Sequence, residues 1–182
     1  MKRFSSLLIL AAVLLCSCGR QETAAATAAA PALVEGKPFP DIVLNYSSGA
    51  AISTHSFKGR LLVLNVWATW CPPCRREMPA LEQLSKTLDP KRFAVVGIST
   101  DEDALLAEEF LRQTGITFTN FLDPGGSIAK SIGMQVYPET FLISADGVLL
   151  RRMPGYQEWS SAEMIAQLEQ TYRDSSRNKP AH

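Results

Sequence analysis

Val63-Leu64-Asn65-Val66-Trp67-Ala68-Thr69-Trp70-Cys71-Pro72-Pro73-Cys74-Arg75-Arg76-Glu77-Met78-Pro79 carries a mostly apolar run straight into a pair of cysteines separated by two residues. Leu61 to Val66 is short and rich in Leu and Val, the pattern of a strand buried on both faces of a parallel sheet. Met78, Leu81, Leu84 and Leu88 then recur every three or four residues until Asp89-Pro90, so a helix follows the strand at once. The cysteines fall on the junction, at the helix's first turn. Free backbone N–H groups and the positive end of the helix dipole favour a thiolate there, which makes Cys71 the expected nucleophile. Cys74, one turn further on, can reach the same sulfur and resolve a mixed disulfide formed at Cys71.

Outward from this junction the apolar runs alternate in type. Phe93 to Ile98 reads as a second buried strand, and Ala104 to Gln113 as an amphipathic helix ending at Thr114-Gly115. Thr117 to Leu122 reads as a strand, Asp123-Pro124-Gly125-Gly126 as a turn and Ser127 to Ile132 as a short helix. Phe141 to Ile143 and Val148 to Leu150 flank Asp146-Gly147, the signal of an antiparallel hairpin. Ala162, Ile165, Leu168 and Tyr172 mark a last helix, and Ile42 to Leu44 with Ala51 to Ser53 form an entry hairpin. The interleaving predicts an α/β sandwich, a mixed sheet with helices on both faces.

The chain has 182 residues with 18 basic and 18 acidic side chains, which supplies no basic field for nucleic acid. Lys2 and Arg3 precede nine apolar residues, Leu7 to Leu15, too few to span a bilayer and suited to a secretory signal over residues 1–17. Leu15-Cys16-Ser17-Cys18-Gly19 resembles a bacterial lipobox, with Cys18 the lipidated first residue of the mature chain. Residues 18–33, rich in Ala, read as a lipidated N-terminus and tether, 34–173 as the folded domain and 174–182 as a disordered tail. The expected location is extracytoplasmic, on a membrane-anchored lipoprotein facing the periplasm, or soluble in the periplasm if the lipobox is unused.

A zinc site at the cysteine pair would need two more ligands, and beyond a lipidated Cys18 only His55 and His182 remain, so no metal is expected. A purely structural disulfide closing two residues would constrain the unfolded chain very little. Redox chemistry is the reading that uses both cysteines.

The segment 63–79 resembles the active-site segment of the extracytoplasmic thioredoxin-like proteins of the TlpA, ResA and CcmG group. Gly36-Lys37-Pro38-Phe39-Pro40 with Phe57-Lys58-Gly59-Arg60 is similar to that group's entry segment, and Val136-Tyr137-Pro138-Glu139-Thr140-Phe141-Leu142-Ile143 to its cis-proline strand. The likeness covers about Glu35 to Tyr172. It implies a thioredoxin-like three-layer sandwich with an N-terminal hairpin extension and an inserted helix-strand unit near Ala104 to Leu122. It also implies a cis Tyr137-Pro138 bond that presents open backbone to a substrate, a groove formed with Trp70, and a helix bent at Pro79. Glu77 matches an acid near the active site of the ResA-like members, and a solvated surface role is its competing reading. Trp67 is expected in the core. Asn65 stands where cytoplasmic thioredoxin has a buried Asp; it cannot ionise, which leaves Glu77, Glu139 or water for proton transfer.

These readings converge on a thiol-disulfide oxidoreductase that needs no cofactor. Pro72 and Pro73 lack the N–H groups that would stabilise a Cys71 thiolate, which favours a reducing pair, while Arg75 and Arg76 oppose it. The expected substrates are disulfide-containing exported proteins, apocytochrome c among them, with electrons supplied by a membrane donor of the DsbD or CcdA kind. The alternatives are a peroxiredoxin-like thiol peroxidase, against which Ala68 stands where those enzymes carry Thr, and a non-enzymatic chaperone or copper-binding module.

Overall fold

In the computed structural model, which describes residues 33–177, the chain runs β1 (Val43–Asn45), β2 (Ala51–Ser53), a 3₁₀ turn (Thr54–Phe57), β3 (Leu61–Trp67), α1 (Pro72–Thr87), β4 (Phe93–Ser99), α2 (Ala104–Thr114), β5 (Thr119–Leu122), α3 (Ser127–Ser131), β6 (Glu139–Ile143), β7 (Leu149–Pro154) and α4 (Ala162–Arg177). One sheet holds every strand, in the order β2-β1-β5-β4-β3-β6-β7. β3, β4 and β5 are parallel, joined by α1 and α2 as crossovers, and the β1–β2 and β6–β7 hairpins are antiparallel. The mixed sheet of the thioredoxin-like sandwich is therefore as expected.

All seven residues of β3 and all seven of β4 are buried, because the sheet is covered on both faces. Alternation along β3 sends Leu61, Val63 and Trp67 to one face, with Met78, Leu81 and Leu84 of α1, Ala107 of α2, and Met164 and Leu168 of α4. Leu62, Leu64 and Val66 go to the other, with Phe121, Phe141, Ala129 and Ile132. The side chain of Trp67 is held as its strand ends: its Nε1 donates to Asn120 Oδ1 at 2.9 Å. Gly97 makes that contact possible, since a Cβ there would lie 1.9 Å from Asn120 Oδ1.

Local signals place the helix ends. Asp103 caps α2 by accepting the Leu105 N–H at 2.9 Å, and Gly115 closes it in the left-handed conformation, φ 68°. Two boundaries differ from expectation. β5 begins at Thr119 instead of Thr117, because the Thr117 and Phe118 N–H groups donate to Glu82 of α1. α4 continues through Arg177, into the segment read as a tail from residue 174; Arg177 donates to Asp174, and the Ser175 and Ser176 hydroxyls bond back to the Tyr172 carbonyl. The signal segment, Cys16, Cys18 and the tether through residue 32 lie outside the described residues, as do 178–182.

Candidate active site

Cys71 ends the loop after β3 with extended backbone, φ −97° and ψ 105°, as the N-cap of α1. Its Sγ accepts the Cys74 N–H at 3.2 Å. Pro72 and Pro73 start the helix without an N–H, so the Cys74 amide is the first donor the turn can offer. Cys71 and Cys74 are joined as a disulfide with Cα atoms 5.3 Å apart. Cys71 keeps 3 % of its surface and Cys74 none, so a reagent arriving from solvent meets Cys71 first.

Trp70 is 61 % exposed and packs edge-on against Tyr137, ring centroids 4.8 Å apart. The Tyr137-Pro138 bond is cis. The Pro138 carbonyl accepts from Gly155 N, whereas the backbone N–H and C=O of Tyr137 have no partner among the described residues. A hollow of about 320 Å³ opens beside these rings, lined in part by Thr100, Glu102, Lys130 and Met134. Arg75 and Arg76 sit over flanking rings, Phe110 at 5.7 Å and Tyr156 at 5.9 Å.

Glu77 is not a surface acid. It is fully buried on the α1 face that carries Cys74 one turn earlier. Its carboxylate accepts Asn65 Nδ2 at 2.7 Å and Gln157 N at 3.1 Å. Burial raises its pKa to about 7, against the pull of the Gln157 and Asn65 donors. Trp159 Nε1 is buried and has no hydrogen-bond partner among the described residues. Asn65 Nδ2 also donates to Thr140 Oγ1 at 2.9 Å, and its Oδ1 is left unpaired. Turned over, the same amide would present its carbonyl oxygen to accept a hydrogen bond from the O–H of neutral Glu77, so it can serve either protonation state.

Glu139, the rival acid, is committed elsewhere. Arg152 Nε donates to it at 2.8 Å and Gln135 N at 3.1 Å. Sequence reasoning passed over Gln157 and Trp159, which reach Glu77 from a distant loop, and over Thr100 and Asp101. The last two had a signal: a polar Ser99-Thr100-Asp101 run directly after a buried strand, at the carboxyl edge of parallel strands where sites collect.

Residues 34–170 match the Redoxin family model. The thiol-disulfide oxidoreductase ResA of Bacillus thuringiensis subsp. konkukian is 34 % identical over 122 residues, 67 % of this chain and 70 % of that protein. ResA of Bacillus subtilis is 28 % identical over 143 residues, 79 % of this chain and 80 % of its own length. Among solved structures, a thiol:disulfide interchange protein assigned as DsbE from Chlorobium tepidum superposes with a TM-score of 0.68 at 29 % identity, covering 79 % of this chain and 99 % of that one.

Proposed function

The chain belongs to the redoxin family, among its ResA-like thiol-disulfide oxidoreductases, and we propose that it reduces disulfides of exported proteins outside the cytoplasm through Cys71 and Cys74. The observation that carries this reading is the Cys71–Cys74 pair at the start of α1, with Cys71 the more exposed of the two and its chain neighbour Trp70 packed on Tyr137, whose backbone is open.

In the reduced enzyme the Cys71 thiolate attacks one sulfur of the substrate disulfide. That S–S bond breaks, the leaving sulfur takes up a proton, and a mixed disulfide remains on Cys71. Cys74 then loses its proton and attacks the Cys71 sulfur; the substrate departs as a dithiol and the enzyme disulfide forms. Two electrons have passed from enzyme to substrate. Glu77 is the acid-base group of this scheme, since a carboxyl titrating near 7 on the Cys74 face can accept the thiol's proton, where Asn65 cannot. The Tyr137 backbone and the Trp70 ring bind the substrate chain, the first by strand-like pairing.

Pro72 and Pro73, which withhold N–H donors from Cys71, support the reducing direction. A donor dithiol in the membrane, of the DsbD or CcdA kind, returns the enzyme to its reduced form, and apocytochrome c is a candidate substrate. Lipidation of Cys18 would keep the domain beside that donor; a Cys18→Ser change should then release it from the membrane fraction. For the chemistry, Cys71→Ala should abolish reduction of a peptide disulfide and Cys74→Ala should accumulate mixed disulfides. A Cys71–Cys74 potential near or below about −250 mV agrees with a reductant, and one near about −120 mV reverses the direction. Turnover in Cys71→Ala, or peroxide consumption that outpaces disulfide reduction, overturns the assignment.

A further inference from the structure

We propose that Asp101 is a positioning residue for disulfide exchange: with Thr100 it forms a block at the end of β4 that holds the nucleophile's loop and the substrate-docking loop in fixed relation. This rests on the reading of Cys71 as nucleophile and Tyr137 as docking strand.

Asp101 is buried, at 1 % exposure, and no Lys, Arg or His is paired with it among the described residues. A buried carboxylate without a cation is costly unless hydrogen bonds replace water. Here they do. Thr69 N donates to both carboxylate oxygens, at 3.1 and 3.0 Å, Thr69 Oγ1 donates at 2.6 Å and Ser99 Oγ at 2.6 Å. Only an acceptor with several lone pairs satisfies this donor set, and its main client is Thr69, two residues before Cys71. The grip therefore falls on the loop that presents Trp70 and the sulfur.

Thr100, the preceding residue, is anchored to the end of β3 and reaches the other loop through its hydroxyl. Its N–H donates to the Trp67 carbonyl at 3.0 Å and its Oγ1 to Tyr137 Oη at 2.9 Å. Adjacent residues on one strand end thus reach the two sides of the site, and the Trp70–Tyr137 ring contact closes the circuit. Attack at sulfur needs the docked disulfide in line with Cys71, and a shift of about 1 Å can cost about a hundredfold in rate. Asp101 sets that alignment without touching the substrate.

The test compares two reactions of the reduced enzyme. Alkylation of Cys71 by iodoacetamide needs no docking, whereas reduction of a cystine-containing peptide does. Asp101→Ala should lower kcat/KM for the peptide about 10- to 100-fold while leaving the alkylation rate and its pH profile within about threefold. Asp101→Asn should restore most of the peptide rate, because its carbonyl still accepts the Thr69 N–H and its NH₂ can donate to Ser99. Tyr137→Phe, which loses only the hydroxyl, should fall about threefold. The proposal fails if Asp101→Ala reduces the peptide at the wild-type rate, if both reactions fall together, or if Asp101→Asn is no better than Ala. Should Asp101→Ala not fold, Thr69→Val, which removes the Thr69 hydroxyl from Asp101, carries the test: a selective loss of peptide reduction upholds the proposal, and an unchanged ratio of the two reactions overturns it. Wild-type enzyme that alkylates but reduces no peptide would instead refute the proposed function.

Discussion

Glu77 and Glu82 leave the same helix five residues apart and are both buried, at 0 % and 7 % exposure, yet they titrate in opposite directions. Burial alone would raise either one. For Glu82 that cost is outweighed by the Lys86 ammonium at 2.7 Å, by Thr117 Oγ1 at 2.6 Å and by the Thr117 and Phe118 N–H groups at 2.7 and 3.1 Å, which bring it down to about 2. Glu77 has two neutral hydrogen-bond donors and no cation, so burial prevails and its pKa rises to about 7. The difference shows that loss of water fixes neither charge; the number and charge of the replacement donors do. One half of α1 carries a carboxylate, charged at neutral pH, that fastens the inserted helix-strand unit to the active-site helix. The other half carries a group that changes protonation near neutral pH, one turn from Cys74.

The largest expected effect comes from breaking the fastened side. Glu82→Ala strands two backbone N–H groups and should cost about 3 kcal/mol at pH 7 in urea unfolding of the oxidised protein, with a loss below about 1 kcal/mol contradicting the contrast. The pH dependence of stability sharpens it. Glu82 has a folded pKa below its unfolded value of 4.5, so its contribution is complete above about pH 5 and is lost as pH falls toward 2. Glu77 has a folded pKa above that value, so the native state holds the extra proton between about pH 4.5 and 7 and stability declines as pH rises through this window. Glu77→Gln should therefore gain about 2–3 kcal/mol relative to wild type on going from pH 5 to pH 8, and Glu82→Gln should flatten only the acid limb. A parallel pair of stability curves for Glu77→Gln and wild type would show that Glu77 does not titrate in the fold.

In turnover, Glu77→Gln should lower peptide-disulfide reduction about tenfold near pH 7 and remove the inflection there, read from a pH–rate profile. The smallest effect is expected at Lys86, whose side chain is 65 % exposed. Lys86→Met should change stability by less than about 1 kcal/mol, since Thr117 and Phe118 continue to hold Glu82. A loss as large as that of Glu82→Ala would mean that the ammonium, not the neutral donors, keeps Glu82 charged.

Much of the active-site helix was legible beforehand. The buried run at Leu61 to Val66, the three-to-four spacing from Met78 to Leu88 and the cysteines between them are patterns of neighbouring residues, and each became the expected element. The hairpin around Asp146-Gly147 and the stop at Gly115 were readable for the same reason, because turn and cap preferences act over a few residues. Glu77 was not readable. Its spacing from Cys74 fits a solvated acid as well as a buried one, and what buries it includes Gln157, 80 residues away, together with Trp159.

The sequence by itself therefore determined the α/β order, the redox pair at a helix start, and the buried strand that leads into it, all through local periodicity and backbone geometry. Tertiary structure alone decided that Glu77 titrates near neutral pH while Glu82 does not, that β5 starts two residues late, and that Asp101 meets Thr69 across 32 residues. Each of those depends on which donors the sheet register and crossovers bring to a buried carboxylate, and a carboxylate deprived of water takes its charge from whatever groups arrive.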